Sequence, residues 1–210
     1  LHLAATALDV NLGDKVIVTP LTFAASANCI RFRGGEVVFC DVEEDTYLMD
    51  IKKLSRLLSQ SPKGTYKGIV LVDFAGYPAN LEAFRQLADE YGLWIIEDAC
   101  HAPGGYFIDS KGEKQLCGNG NFADISVFSF HPVKHIATGE GGMATTNSKK
   151  LYEKLCLYRT HGITKDPALL CENHGGWYYE MQELGYNYRI TDFQAALGIS
   201  QLKLSLIHIS

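Results

Sequence analysis

The 210-residue chain has no unbroken apolar run near the ~20 residues that a membrane-spanning helix needs, so no membrane partner is expected. It has no basic block either. Lys52-Lys53 and Lys149-Lys150 are isolated pairs, and the net charge of −5 argues against nucleic acid as a partner. Cysteines stand at 29, 40, 100, 117, 156 and 171, but none forms a CxxC pair and no Cys/His cluster has zinc spacing. No metal is therefore expected, and the thiols read as reduced core residues of a cytoplasmic protein. Signal-peptide patterning, internal repeats and low-complexity segments are all missing. So are a GxGxxG turn after the first strand and a GxxxxGK[ST] loop, which removes the dinucleotide and P-loop ways of cradling phosphate.

What is present is an ordinary globular balance, with 47% hydrophobic and 20% charged residues. Apolar, β-rich runs alternate with helical patterns. Strands are expected at Lys15–Pro20, Glu36–Val42, Gly68–Phe74, Trp94–Ala99, Ile125–Phe130 and Gly142–Thr146. Helices are expected at Thr22–Phe32, Asp50–Ser59, Asn80–Tyr91, Ser148–Tyr158 and Thr191–Leu204, and residues 162–186 read as a long loop. The central strands are nearly continuous Val and Ile, which marks burial on both faces. The pattern predicts an α/β fold, a three-layer α/β/α domain with a mostly parallel sheet. Too few residues separate the last two strands for a crossover helix, so they are either antiparallel or not neighbours.

The opening LHLAATALDV is already helical with no start signal, and QLKLSLIHIS ends without capping chemistry. The chain therefore reads as an internal piece of a longer protein, with 205–210 as a tail foreign to it.

In open α/β sheets, ligands collect at the carboxyl ends of strands. Glu97 and Asp98 end WIIEDAC, Ser129 and His131 end ISVFSFH, Lys134 follows, and Phe23 lies just past KVIVTP. A carboxylate ending a buried apolar strand is costly without a partner. Taken alone, Asp98 also fits a helix cap or an ion pair, and Lys134 a surface lysine. Together they fit pyridoxal phosphate, which needs a lysine, an acid for its ring nitrogen, a phosphate donor and a stacking ring.

The stretch FSFHPVKHIATGEGGM resembles the cofactor-lysine signature of the DegT/StrS-type sugar-nucleotide aminotransferases. IIEDACHAPGGYF resembles that family's aspartate segment, VIVTPLTFAASANCIRFRGGEVVFCDVEEDTYLMD its early strand–helix–strand, and ELGYNYRITDFQAALGISQL its interface segment. The resemblance covers residues 1–204. It implies an aspartate-aminotransferase-like, fold type I large domain for pyridoxal phosphate, truncated at both ends, with the small carboxyl-terminal domain absent. The family's Ser-Gly-Thr-Ala phosphate segment would lie just ahead of Leu1.

Roles follow from the resemblance. Lys134 would link to the cofactor aldehyde and move the substrate proton. Asp98 would pair with the ring nitrogen, Phe23 would stack on the ring and Ser129 would bind the phosphate. Thr22 would belong to the cofactor site, and His101 would lie near the phenolic oxygen. Asn187 would reach the phosphate of a second subunit, which implies a homodimer with a shared site. His131 and His135 are left as packing or substrate-side residues, and Arg189 as a charge for that site or a partner of Asp192. The implied reaction takes an amino group from L-glutamate to the 4-keto carbon of a UDP-linked 2-acetamido-2,6-dideoxy hexose. Another nucleotide-sugar 3- or 4-aminotransferase, or a non-catalytic binding module on the same fold, are the alternatives. The family's dehydratase branch carries histidine where this chain has Lys134.

Overall fold

The computed structural model describes residues 1–172 and 174–208, the last three as backbone only. Helix α1 (His2–Ala7), strand β1 (Lys15–Val18), helix α2 (Ala25–Arg31) and strand β2 (Glu36–Phe39) come first. Helix α3 (Ile51–Ser59), strand β3 (Tyr66–Val72), helix α4 (Leu81–Tyr91) and strand β4 (Trp94–Asp98) follow. A small hairpin, β5 (Tyr106–Ile108) and β6 (Lys114–Leu116), precedes strands β7 (Ile125–Ser129) and β8 (Gly142–Thr145). Helix α5 (Lys149–Arg159), strands β9 (Ile163–Thr164) and β10 (Glu180–Met181), and helix α6 (Asp192–His208) complete the order. Helix α6 runs into the tail set apart by sequence, whose last two residues, 209–210, lie outside the described residues. No helix among the described residues is long and apolar enough to cross a membrane.

Side-chain caps start three of these helices, α3, α4 and α5. Asp50 accepts from Lys52 N and Lys53 N, Asn80 from Ala83 N, and Ser148 from Leu151 N, so each side chain satisfies amides that a helix start leaves unpaired. Gly92 ends α4 in the left-handed conformation that glycine adopts without strain.

The main sheet has the order β2-β1-β3-β4-β7-β8. Its pairs are parallel except β7 with β8, which are antiparallel neighbours. The intervening residues 130–141 are too few for a crossover, so the chain turns straight back. Helices α3 and α4 cover one face, packing Leu54, Leu58, Leu81 and Phe84 on Ile17, Ile69, Leu71 and Ile95. On the other face Ala4 and Ala5 of α1, Ile30 of α2 and Leu155 of α5 pack on Val16, Val70, Ile96 and Ile125. The result is the expected three-layer α/β/α arrangement.

Several expectations are corrected. Helix α2 begins at Ala25, not Thr22, because the first helical amide bond is accepted by Ala24 O, which leaves Thr22 and Phe23 in the preceding turn. Residues 162–186 are not all loop, since β9 and β10 pair antiparallel within them. The β5–β6 hairpin has strands too short to show alternation. It is closed by Asp109, whose Oδ1 accepts from Lys111 N and Glu113 N. Cys171 is exposed, unlike the buried Cys29, Cys40 and Cys117, so the thiols are not all core residues.

Successive residues of a strand face opposite sides of the sheet, so Glu97 and Asp98 part company. Glu97 faces the α3/α4 side with Asp73 from the end of β3, and each is 1% exposed. One oxygen of each is tied to the backbone: Ala79 N donates to Asp73 Oδ1 at 2.9 Å and Gly118 N to Glu97 Oε2 at 3.0 Å. The other oxygens, Asp73 Oδ2 and Glu97 Oε1, have no partner, and the two acids with Cys117 place ligand-type atoms within 4.8 Å of one another. A proton shared between the two carboxyls would satisfy both orphans, with the Ser126 hydroxyl and the Cys117 thiol beside the pair. Burial, and next the Glu97 charge, hold Asp73 well above the usual carboxylate range, and burial raises Glu97 as well.

A raised folded value means that the folded chain holds a proton the unfolded chain has lost. This contribution is complete below the unfolded carboxylate value and fades as pH rises through the folded one. Asp73→Asn keeps the bond to Ala79 and gives Glu97 Oε1 an amide donor. Between those two values the wild type should lose ~1.4 kcal/mol of stability per pH unit relative to the variant. Denaturant melts of the intact protein at a series of pH values check this, and parallel curves for the two proteins would refute the shared proton.

Candidate active site

Strands β1, β3, β4 and β7 run parallel, so their carboxyl ends lie along one edge of the sheet. The segments that carry Phe23, Asp98 and Lys134 all leave from that edge.

Asp98 closes β4 and is 5% exposed. Its Oδ2 accepts a 2.7 Å hydrogen bond from Ser26 Oγ on α2, and its Oδ1 accepts a long one, 3.4 Å, from Cys100 N. No Lys or Arg forms an ion pair with it among the described residues, which rules out the salt-bridge reading. Ser26 is fully buried, and a 2.8 Å bond joins its Oγ to Thr22 Oγ1. The carboxyl group is thus held by a hydroxyl and an amide. Sequence reasoning missed Ser26. No local spacing signals it, because Thr22 lies in the turn before α2 and Asp98 is 72 residues further on.

Lys134 sits on the 130–141 loop, whose base is tied shut. Phe130 N donates to Gly141 O and Thr138 N to Phe130 O, each at 2.9 Å, and Thr138 Oγ1 donates to Glu140 O at 2.6 Å. Within the loop Lys134 N donates to His131 O at 2.9 Å, closing a turn whose second position is Pro132, a residue with φ already set. At the loop's exit a Cβ on Gly142 would stand 2.7 Å from Phe128 O, so only glycine lets β8 close against β7 there. The Lys134 side chain is half-buried, and its amine forms no hydrogen bond or ion pair with the described residues.

Lys134 and Asp98 act on the same neighbours. The His101 imidazole is lowered by burial and then by the Lys134 charge, with Asp98 opposing. The Cys100 thiol is pushed far up by burial and then by Asp98, with Lys134 opposing. His101 is therefore neutral near pH 7, and its ring stands edge-on to Phe74 at 6.5 Å. Gly76, in the turn after β3, lets the chain pass His101, since a Cβ there would meet His101 O at 2.8 Å.

Phe23, in the turn before α2, is 78% exposed, so it is not a core aromatic. Ser129 ends β7, and its Oγ accepts from His131 N at 3.3 Å, which leaves the hydroxyl proton uncommitted. His131 and His135 are exposed, with His131 Nε2 4.0 Å from Glu140 Oε1. Asn187 lies on a different segment. It forms an isolated antiparallel bridge with Thr160, its side chain is exposed, and it makes no hydrogen bond to Asp98, Ser129 or Lys134. Its neighbours Tyr186 and Tyr188 stack at 5.1 Å, with His2 against both. Arg189 is exposed and forms no ion pair among the described residues, Asp192 included.

Comparison with known proteins bears on this arrangement. The UDP-4-amino-4,6-dideoxy-N-acetyl-beta-L-altrosamine transaminase of Campylobacter jejuni serotype O:23/36 is 42% identical over 204 residues, 97% of this chain and 49% of that protein. GDP-perosamine synthase of Escherichia coli O157:H7 is 36% identical over 97% of this chain and 50% of its own length. Among solved structures, Spr1654 of Streptococcus pneumoniae in its PLP-form aligns with a TM-score of 0.79 at 28% identity, over 98% of this chain and 53% of that one. The chain spans about half the length of the curated relatives it matches. Residues 1–205 match the profile of the DegT/DnrJ/EryC1/StrS aminotransferase family, and the chain belongs to that family.

Proposed function

We propose that the intact protein is a pyridoxal-phosphate-dependent transaminase. In this reading it moves an amino group from L-glutamate to the 4-keto carbon of a UDP-linked 2-acetamido-2,6-dideoxy hexose. The observation that carries the reading is the unpartnered amine of Lys134, held on a tied loop at the sheet edge where the buried Asp98 ends its strand.

The chemistry of the side chains suits the cofactor. Asp98 Oδ1 has only a long bond and retains acceptor capacity for a ring N–H, Ser129 has an unspent hydroxyl proton for a phosphate oxygen, and Phe23 offers an uncovered aromatic face. When bound, pyridoxal phosphate supplies an aldehyde that condenses with amines and a ring that takes up electron density. The chain's own groups do the rest. Asp98 keeps a proton on the ring nitrogen. Neutral His101 offers a hydrogen bond on the phenolic-oxygen side without adding charge. Lys134 holds and moves the proton at the reacting carbon, and the turn at Pro132 limits where its amine can go.

Residues 1–204 are, in this reading, part of the large cofactor domain. Asn187 serves the site of a second copy in a homodimer, and Thr22 lines the cofactor site. A cytoplasmic location accords with six free thiols. The altrosamine transaminase relative supports the substrate named above. The GDP-perosamine synthase relative supports a second reading, another nucleotide-sugar 3- or 4-aminotransferase with the same Lys134 and Asp98.

Two outcomes are expected of the intact protein. Lys134→Ala should lower turnover by ~10²–10⁴-fold or more from lost proton transfer alone, and should abolish borohydride trapping of the cofactor on the peptide containing residue 134. Trapping at another position would overturn the assignment. In a panel of UDP-, GDP- and dTDP-linked keto sugars with glutamate, 2-oxoglutarate should form fastest with the UDP-linked 2-acetamido sugar. A faster GDP or dTDP substrate would select the second reading.

A further inference from the structure

We propose that Ser26 is a positioning residue that fixes which oxygen of Asp98 meets the cofactor's ring nitrogen and how firmly that nitrogen keeps its proton. The inference rests on the cofactor reading above and goes a step past it, to a residue that never touches the reacting atoms.

The argument is one of proton count. A serine hydroxyl has one proton, and an ionised carboxylate only accepts. The 2.7 Å contact therefore spends the Ser26 proton on Asp98 Oδ2. The 2.8 Å contact between Thr22 Oγ1 and Ser26 Oγ must then run the other way, with Thr22 donating. The chain of hydroxyls is directed from Thr22 through Ser26 to Asp98. Thr22 has no proton left for a phosphate or any other cofactor oxygen, so its part in the site is to feed this chain.

The two oxygens of Asp98 are made unequal by it. Oδ2 receives a short bond from a fully buried donor, while Oδ1 receives only the 3.4 Å contact from Cys100 N. Each oxygen has a second acceptor site, and in this proposal the ring N–H goes to Oδ1, the one with the weaker bond. A hydrogen bond donated to a carboxylate also favours its charged form. In this proposal the Ser26 bond to Oδ2 is what leaves the proton between acid and ring on the ring. Without the hydroxyl the carboxylate pulls harder, the ring is less cationic, and it accepts electron density less readily. The donor comes from 72 residues earlier in the chain, on α2, so the tuning is set by tertiary packing.

The test uses the intact protein loaded with pyridoxal phosphate labelled with nitrogen-15 in the ring, compared as wild type, Ser26→Ala, Ser26→Cys, Ser26→Thr and Asp98→Asn. The ring-nitrogen resonance reports protonation directly. Ser26→Ala and the near-isosteric, weakly donating Ser26→Cys should move it toward the neutral-pyridine position. They should lower kcat ~10-fold, as for loss of a hydrogen bond to a charged group, while the sugar KM stays within about twofold. Ser26→Thr, which keeps the hydroxyl, should return both to the wild-type side. Should Ser26→Ala prove insoluble, Ser26→Cys carries the comparison. A wild-type resonance in Ser26→Ala or Ser26→Cys, alongside a displaced one in Asp98→Asn, overturns the role of Ser26 and leaves the cofactor reading standing. A wild-type resonance in Asp98→Asn overturns the cofactor reading, and this inference with it.

Discussion

A carboxylate at the end of β4 has protein on both sides of the sheet and little water to hold its charge. Two such groups stand side by side in the chain, and each finds a different solution. Glu97, turned to the α3/α4 face, meets a second acid, and burial pushes both toward their neutral forms. Asp98, turned to the α2 face, accepts hydrogen bonds from a buried hydroxyl and an amide. One strand therefore ends in two acids with different surroundings. Asp98 lies at the edge where the five parallel strands end.

The amine is held by different means. The loop that carries Lys134 has little apolar anchoring and many backbone ties: Phe130, Thr138 and Gly141 close its base, His131 and Pro132 set its inner turn, and Gly142 lets β8 return against β7. Such a loop restricts the backbone while leaving the long side chain unpartnered. A flexible arm on a fixed mount suits a group that must act at more than one atom of a bound molecule.

Much of this was legible in the residues. The Val and Ile runs of β1, β3 and β4, the caps Asp50, Asn80 and Ser148, and the fall of Asp98, Ser129 and Lys134 at strand ends follow from local chemistry. What stayed hidden depends on distance along the chain. The start of α2 was obscured because Thr22 and Phe23 fit a helical pattern as well as they fit the turn they occupy. The β5–β6 hairpin has strands too short to alternate visibly. The orientation of β8 was left open by its pattern and decided by the length of the preceding loop. Ser26 could not be recognised as a partner of Asp98, since nothing local links a serine in a short helix to an acid 72 residues onward. The pairing of Asp73 with Glu97 is likewise a product of neighbouring parallel strands and not of sequence spacing.

The register between β4 and β7 sets Asp98 opposite Val127. That pairing joins strands separated by the whole of the small hairpin and its flanking turns, and it is what brings the carboxylate and the lysine loop to the same edge. The carboxylate and the lysine loop therefore share an edge only through the β4–β7 register, so a one-residue slip there would turn Asp98 from the α2 face to the opposite one.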